Sequence, residues 1–266
     1  KAIEVAANLT NKHPDSVLGW KVMSASLKFS GRLAESLVAA KKAVNQSGGD
    51  YEALNNLGSL LIESGDTTKA IVVIKKSIKL YHNNPASHLN LGLAYLKSNQ
   101  HLKAEQEFLT AISIKPDLSE AHMNVGVVYR ELGQLSKAIE SYKRAIQLHR
   151  NYYEAFFNLG IVYNQIGDNY LAESLYNKAI DLKPDFIDAY HNLLVLISGF
   201  TYEPQKYLEN AKRYREAISS SVVKQYKEWD LEGDTKPLRI GFVSGDFRNH
   251  PVGYFLEGML SHLGSF

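Results

Sequence analysis

The sequence predicts an all-α solenoid of antiparallel helix pairs, followed at its C-terminal end by one strand–loop–helix unit. Three observations carry this. Gly58, Gly92, Gly126 and Gly160 recur every 34 residues. Around each glycine the repeated frame falls at i, i+3, i+4 and i+7, one stripe of an α-helix. Beyond residue 200 the period is lost, and Leu238–Ser244 alternates apolar residues in the manner of a strand.

Taken in chain order, residues 1–16 read as the second helix of an earlier unit, and complete units follow at 17–50, 51–84, 85–118, 119–152 and 153–186. The frames around the glycines are NNLGSLL, LNLGLAY, MNVGVVY and FNLGIVY. Twelve residues after each glycine stands an alanine: Ala70, Ala104, Ala138 or Ala172. Four further on comes a bulky residue (Ile74, Phe108, Tyr142, Tyr176), and three beyond that Ser77, Ala111, Ala145 or Ala179. Counted within a unit, the stripe occupies positions 4, 7, 8 and 11, filled most clearly by Phe156, Leu159, Gly160 and Tyr163. Glycine inside a helix costs about 1 kcal/mol relative to alanine, so a close approach of the paired helix is expected at position 8. Gly65, Gly133 and Gly167 stand where the first helix of a unit must end, and Pro116 and Pro184 close two units. The unit at 17–50 is degenerate: Ser24 replaces the glycine, while Trp20 and Gly31 keep positions 4 and 15. Residues 187–200 read as the first helix of a sixth unit. A 34-residue period with this pattern resembles the tetratricopeptide repeat, whose two-helix units stack into a superhelix.

Composition narrows the function classes. At 45% hydrophobic and 22% charged, the 266 residues belong to a globular chain rather than a disordered one. There is no apolar run of the ~18 residues a membrane span needs, and no secretory h-region opens the chain. The absence of cysteine excludes disulfides, thiolate zinc sites and a cysteine nucleophile. A net charge of +2 provides no footprint for a phosphate backbone, so no nucleic-acid partner is expected. A cytoplasmic protein without a membrane partner is the expectation. His88, His122 and His191 open first helices without metal-ligand spacing and read as framework, so no metal site is expected. The phosphate-binding and zinc-protease motifs are missing.

Position 6 of the unit carries more information than the framework. It reads Val22 and then Asn56, Asn90, Asn124, Asn158 and Asn192. Position 6 lies about 200° around the helix from position 4, away from the seam between paired helices. Asparagine is a poor residue for a helix interior, and its amide offers a donor and an acceptor together. Such a column suits bidentate contact with the backbone of an extended polypeptide. Hydrogen bonding between repeats, with no ligand, is the other reading.

Residues 201–237 read as a helical connector and linker, ending in DLEGDTKP. The strand LRIGFVS, a turn at Gly245–Asp246 and a short helix marked by Phe255, Met259, Leu260 and Leu263 then make the opening unit of an α/β domain at 238–266. Leu238–Leu260, LRIGFVSGDFRNHPVGYFLEGML, resembles the start of the catalytic domain of protein O-linked N-acetylglucosamine transferases. Asn192–Pro204 resembles the junction in bacterial and plant SPINDLY-like members of that family, where repeats likewise precede the glycosyltransferase.

The resemblance implies inverting transfer of a sugar from UDP-GlcNAc, or from GDP-fucose, to Ser or Thr hydroxyls by two Rossmann-like lobes. It assigns the asparagine column to acceptor-protein binding in the repeat groove. It also matches His250, in Asn249–His250–Pro251, to the family's active-site histidine. A neutral imidazole accepts a hydroxyl proton near pH 7; a histidine bonded to its own loop is the structural alternative. Only the first βα unit is present, so residues 1–266 are expected to be a piece of a longer enzyme, to bind no donor nucleotide and to be inactive alone. The competing reading is a protein-interaction scaffold without enzymatic activity.

Overall fold

A computed structural model describes residues 2–200 and 203–221. They form thirteen α-helices and, among the described residues, no strand: α1 (Ala2–Lys12), α2 (Val17–Phe29), α3 (Leu33–Ser47), α4 (Tyr51–Glu63), α5 (Thr67–Leu80), α6 (Pro85–Lys97), α7 (His101–Ile114), α8 (Ser119–Glu131), α9 (Leu135–Leu148), α10 (Tyr153–Gln165), α11 (Asn169–Leu182), α12 (Ile187–Phe200) and α13 (Pro204–Ser221). The strand–loop–helix unit at 238–266, His250 within it, and the connector beyond Ser221 lie outside the described residues.

Local chemistry sets the helix ends. Ser16, Asp50, Asp66, Asn84 and Asp168 each accept a hydrogen bond from a backbone N–H in the first turn that follows. First helices stop at a left-handed residue at position 15. Gly65, Gly133 and Gly167 adopt φ of +84°, +72° and +86°, while Asn99 takes the same place at +57°.

The seam of each pair is built on the position-8 glycine. A Cβ added to Gly92 would lie 2.5 Å from the Phe108 ring, and one on Gly126 or Gly160 would lie 2.7 Å from Tyr142 or Tyr176. At Gly58 the obstacle is Ile74, at 2.2 Å. The bulky residue at position 24 thus fills the space that the glycine leaves, and Ile74, Phe108, Tyr142 and Tyr176 are almost fully buried. Alanines at positions 20 and 27 let the paired helices approach and are fully buried themselves.

Every helix packs on its neighbours in the chain, as in a one-dimensional stack. Contacts also run directly between the first helices of successive units, α4 to α6, α6 to α8 and α8 to α10. No comparable contact joins α5, α7, α9 and α11. First helices are therefore crowded together and second helices splayed, which places the first helices on the inner side of the stack.

Candidate functional site

On the first helices, positions 3, 7 and 10 are buried through most of the stack, as with Ala53, Leu57 and Leu60 or Ala121, Val125 and Val128. Positions 2, 6, 9 and 13 fall on the neighbouring stripe, about 100° around the helix, and stay wholly or partly accessible, apart from Asn124. The asparagines therefore share this stripe with the residues at position 9: Ala25, Ser59, Leu93, Val127, Ile161 and Val195. From the third unit onward that second column is aliphatic. Leu93, Val127 and Ile161 are half-buried and Val195 is exposed. Carboxylates recur at position 2, as Glu52, Glu120, Glu154 and Asp188.

The five asparagines are not equivalent. Asn56 is exposed; Asn90, Asn158 and Asn192 are half-buried; Asn124 is buried. Asn124 and Asn158 each donate Nδ2–H to the backbone carbonyl one turn back, Glu120 and Glu154, at 2.8 Å. These bonds leave the amide oxygens unused. Asn90 instead donates to Oδ1 of the buried Asn55 in the preceding unit, at 2.9 Å. One member of the column thus takes part in inter-repeat bonding, while two orient their amides against their own helix.

The degenerate unit holds a cavity of about 130 Å³ between α2, α3 and α4. Ala40, Ala43, Ala53 and Leu60 contribute apolar walls; Ser24, Asn56 and Ser59 contribute polar atoms. Lys21 and Lys28 flank it, and both are neutralised across the α2–α4 interface. Lys21 bridges to Asp50, at 3.1 Å, and to Glu52; Lys28 bridges to Glu63. Burial pulls the Lys21 ammonium down, but its bonds to Glu52 and Asp50 outweigh that and hold it above the ordinary lysine value. Asp50 is displaced below the usual carboxylate range: burial pushes it up, and the bonds from Lys21 and from backbone N–H groups outweigh it. Ser24 Oγ is turned away from an open role by bonds to Ser36 O and Ser36 Oγ, both 3.1 Å.

Neither the aliphatic column nor the cavity was foreseen from the sequence pattern. The column was readable at position 9 of each unit. The cavity had a signal in Ala40, which stands where other units carry Ile, Phe or Tyr. Among the described residues, no group of three or more His, Asp or Glu side chains could hold a metal ion, and no helix is long and apolar enough to cross a membrane.

Models of the tetratricopeptide repeat match residues 51–84 and 153–186, and further repeat models match 73–106 and 126–167. No curated protein sequence matches the chain. Among solved structures, the chain is similar to one from the APC/C hetero-tetramer Cut9–Hcn1, with a TM-score of 0.74 and 14% identity over 82% of this chain. It spans 43% of that relative's length. A thermophilic TPR protein in Thermus thermophilus gives a TM-score of 0.62 at 21% identity, covering 68% of this chain and 99% of that one. YrrB, described as a TPR protein with an unusual peptide-binding site, gives 0.51 at 20% identity, covering 72% and 98%. At these identities the likeness is one of fold. None of these matches points to a glycosyltransferase. The 34-residue period, the glycine-based seam and the repeat models agree, and the chain is a tetratricopeptide-repeat protein.

Proposed function

We propose that the repeats form a protein-interaction scaffold that holds an extended polypeptide along the first helices. The observation that carries this reading is the pair of parallel columns on the accessible stripe, amides at position 6 beside aliphatic side chains at position 9. The amide oxygen of the half-buried Asn158 suits a backbone N–H of a bound chain, and Leu93, Val127, Ile161 and Val195 suit its apolar side chains. The carboxylates at position 2 favour a neutral or basic segment over an acidic one. YrrB, similar in fold, carries a peptide-binding site by its own description. The test is selection of peptides by display on the wild-type protein, followed by binding to a variant with all five column asparagines replaced by alanine. Selected peptides should bind that variant at least tenfold more weakly, an order expected for several lost hydrogen bonds of about 0.5–1.5 kcal/mol each. Equal binding by a folded variant overturns the role of the column.

A second reading makes the scaffold the acceptor-binding arm of a protein O-glycosyltransferase of the O-GlcNAc transferase and SPINDLY type. The sequence of Leu238–Leu260, with His250 as its candidate active-site residue, favours it. UDP-GlcNAc or GDP-fucose would be the donor. Mass spectrometry of acceptor peptides incubated with the whole protein and each donor decides this reading: a sugar on Ser or Thr supports it, and unmodified peptides with both donors overturn it.

A further inference from the structure

We infer that the cavity between α2, α3 and α4 is an anchor pocket for one aliphatic side chain of the bound polypeptide, placed at the N-terminal end of the asparagine column. The inference rests on the scaffold reading above and adds a site of defined specificity to it. The cavity exists because this unit breaks the packing rule of the others. In the third unit, Leu93 and Phe108 stand at positions 9 and 24 and pack into the core. The degenerate unit has Ala25 and Ala40 there, with Ser24 at the place of the seam glycine. The missing side-chain volume is left as the cavity of about 130 Å³, comparable with the ~150 Å³ apolar cavity known to admit benzene. That space suits a Leu, Ile or Met side chain.

Charge decides between an apolar group and an anion. The lysines at the mouth would invite a phosphate or carboxylate, but each already bridges to carboxylates of α4 or its N-cap, Lys21 to Asp50 and Glu52 and Lys28 to Glu63. An incoming anion would have to displace them. The walls formed by Ala40, Ala43, Ala53 and Leu60 need no such exchange. Asn56 lines the same cavity and is exposed, so its amide can bond the backbone of the residue whose side chain enters. The pocket is thus continuous with the column that the scaffold reading assigns to the polypeptide.

The minimal probe is N-acetyl-leucine N-methylamide, one aliphatic side chain between two peptide groups. Titrated into the wild-type protein, it should produce saturable shifts of the Ala25, Ala53 and Ser59 amide resonances in NMR spectra. Two variants fill the pocket independently. The Ser24→Gly, Ala40→Phe double variant installs the glycine–phenylalanine pair that the third unit already uses, and Ala25→Leu adds bulk from an exposed position. Both should lose the saturable shifts, and display-selected peptides should bind either variant about tenfold or more weakly, as expected when a Leu side chain is no longer buried. An absence of saturable shifts in the wild type, or shifts that persist in both variants, overturns the pocket. Selected peptides that bind both filled variants undiminished but lose affinity for the five-alanine variant also overturn it, and leave the scaffold reading standing.

Discussion

His88 and Glu107 form a partly buried pair that joins α6 to α7. Nδ1 of His88 lies 2.6 Å from the Glu107 carboxylate, and Nε2 lies 2.9 Å from the carbonyl oxygen of His82. A protonated imidazole donates from both ring nitrogens and so satisfies the carboxylate and the carbonyl together. The Glu107 hydrogen bond is the largest influence on this histidine and raises its pKa above the ordinary 6.5, against the opposing pull of burial. His88, whose spacing assigns it to the framework, thus adds a polar tie between α6 and α7 to the Gly92–Phe108 seam.

The pair makes stability depend on pH. A group whose pKa is higher in the folded state contributes stability that is complete below its unfolded value and is lost as pH rises through the folded value. Replacing His88 by Gln should therefore cost more at pH 5.5 than at pH 9. Urea denaturation at the two pH values measures the difference, and a cost independent of pH would show that the imidazole is neutral in the native state.

The seam glycines should resist alanine despite its better helix propensity. At Gly126 the added Cβ would meet the Tyr142 ring at 2.7 Å, and that ring is fully buried. Overpacking of this kind costs about 1–3 kcal/mol, more than the ~1 kcal/mol gained in propensity. Gly126→Ala should lower the urea midpoint, and the loss should shrink when Tyr142 is changed to Leu as well, because the two positions share one space.

The Tyr142 hydroxyl is buried without a hydrogen-bond partner. Burial is also the main reason its pKa is driven far above the ordinary tyrosine value. An unsatisfied buried hydroxyl costs about 1–3 kcal/mol, and Phe108 fills the equivalent place in the third unit. Tyr142→Phe should leave thermal stability unchanged or raise it. A clear loss would mean that the hydroxyl is bonded in solution.

The asparagines should separate into two classes. Asn90→Ala removes a bond between units and leaves Oδ1 of the buried Asn55 unpaired, at a cost of about 1–3 kcal/mol. Asn158→Ala removes only a bond to its own helix and gains helix propensity, so its stability should hardly change. Denaturation midpoints of the two single variants, read beside their peptide affinities, test whether the column is structural at Asn90 and ligand-directed at Asn158.

Much of this protein was legible in its sequence because each unit touches only its neighbours. When contacts are short in range, the residues that meet are a constant number of positions apart. The period of 34, the glycine at position 8 and the bulky residue sixteen places later therefore announced the helix pairs and their seam. The asparagine column was visible for the same reason. Which partner Asn90, Asn124 and Asn158 bond to was decided only by tertiary structure. Asn90 reaches Asn55 across the gap between α4 and α6, whereas Asn124 and Asn158 turn back to Glu120 and Glu154, although all three share one position in the repeat. The partner depends on the residue at position 5 of the preceding unit: Asn55 offers an amide oxygen to Asn90, while Leu89 and Met123 offer none to Asn124 and Asn158. The cavity at Ala40 is likewise a property of three helices together. Small residues in one unit become a pocket only if the neighbouring unit fails to fill the space, and Ala53, Asn56 and Ser59 of α4 leave it open.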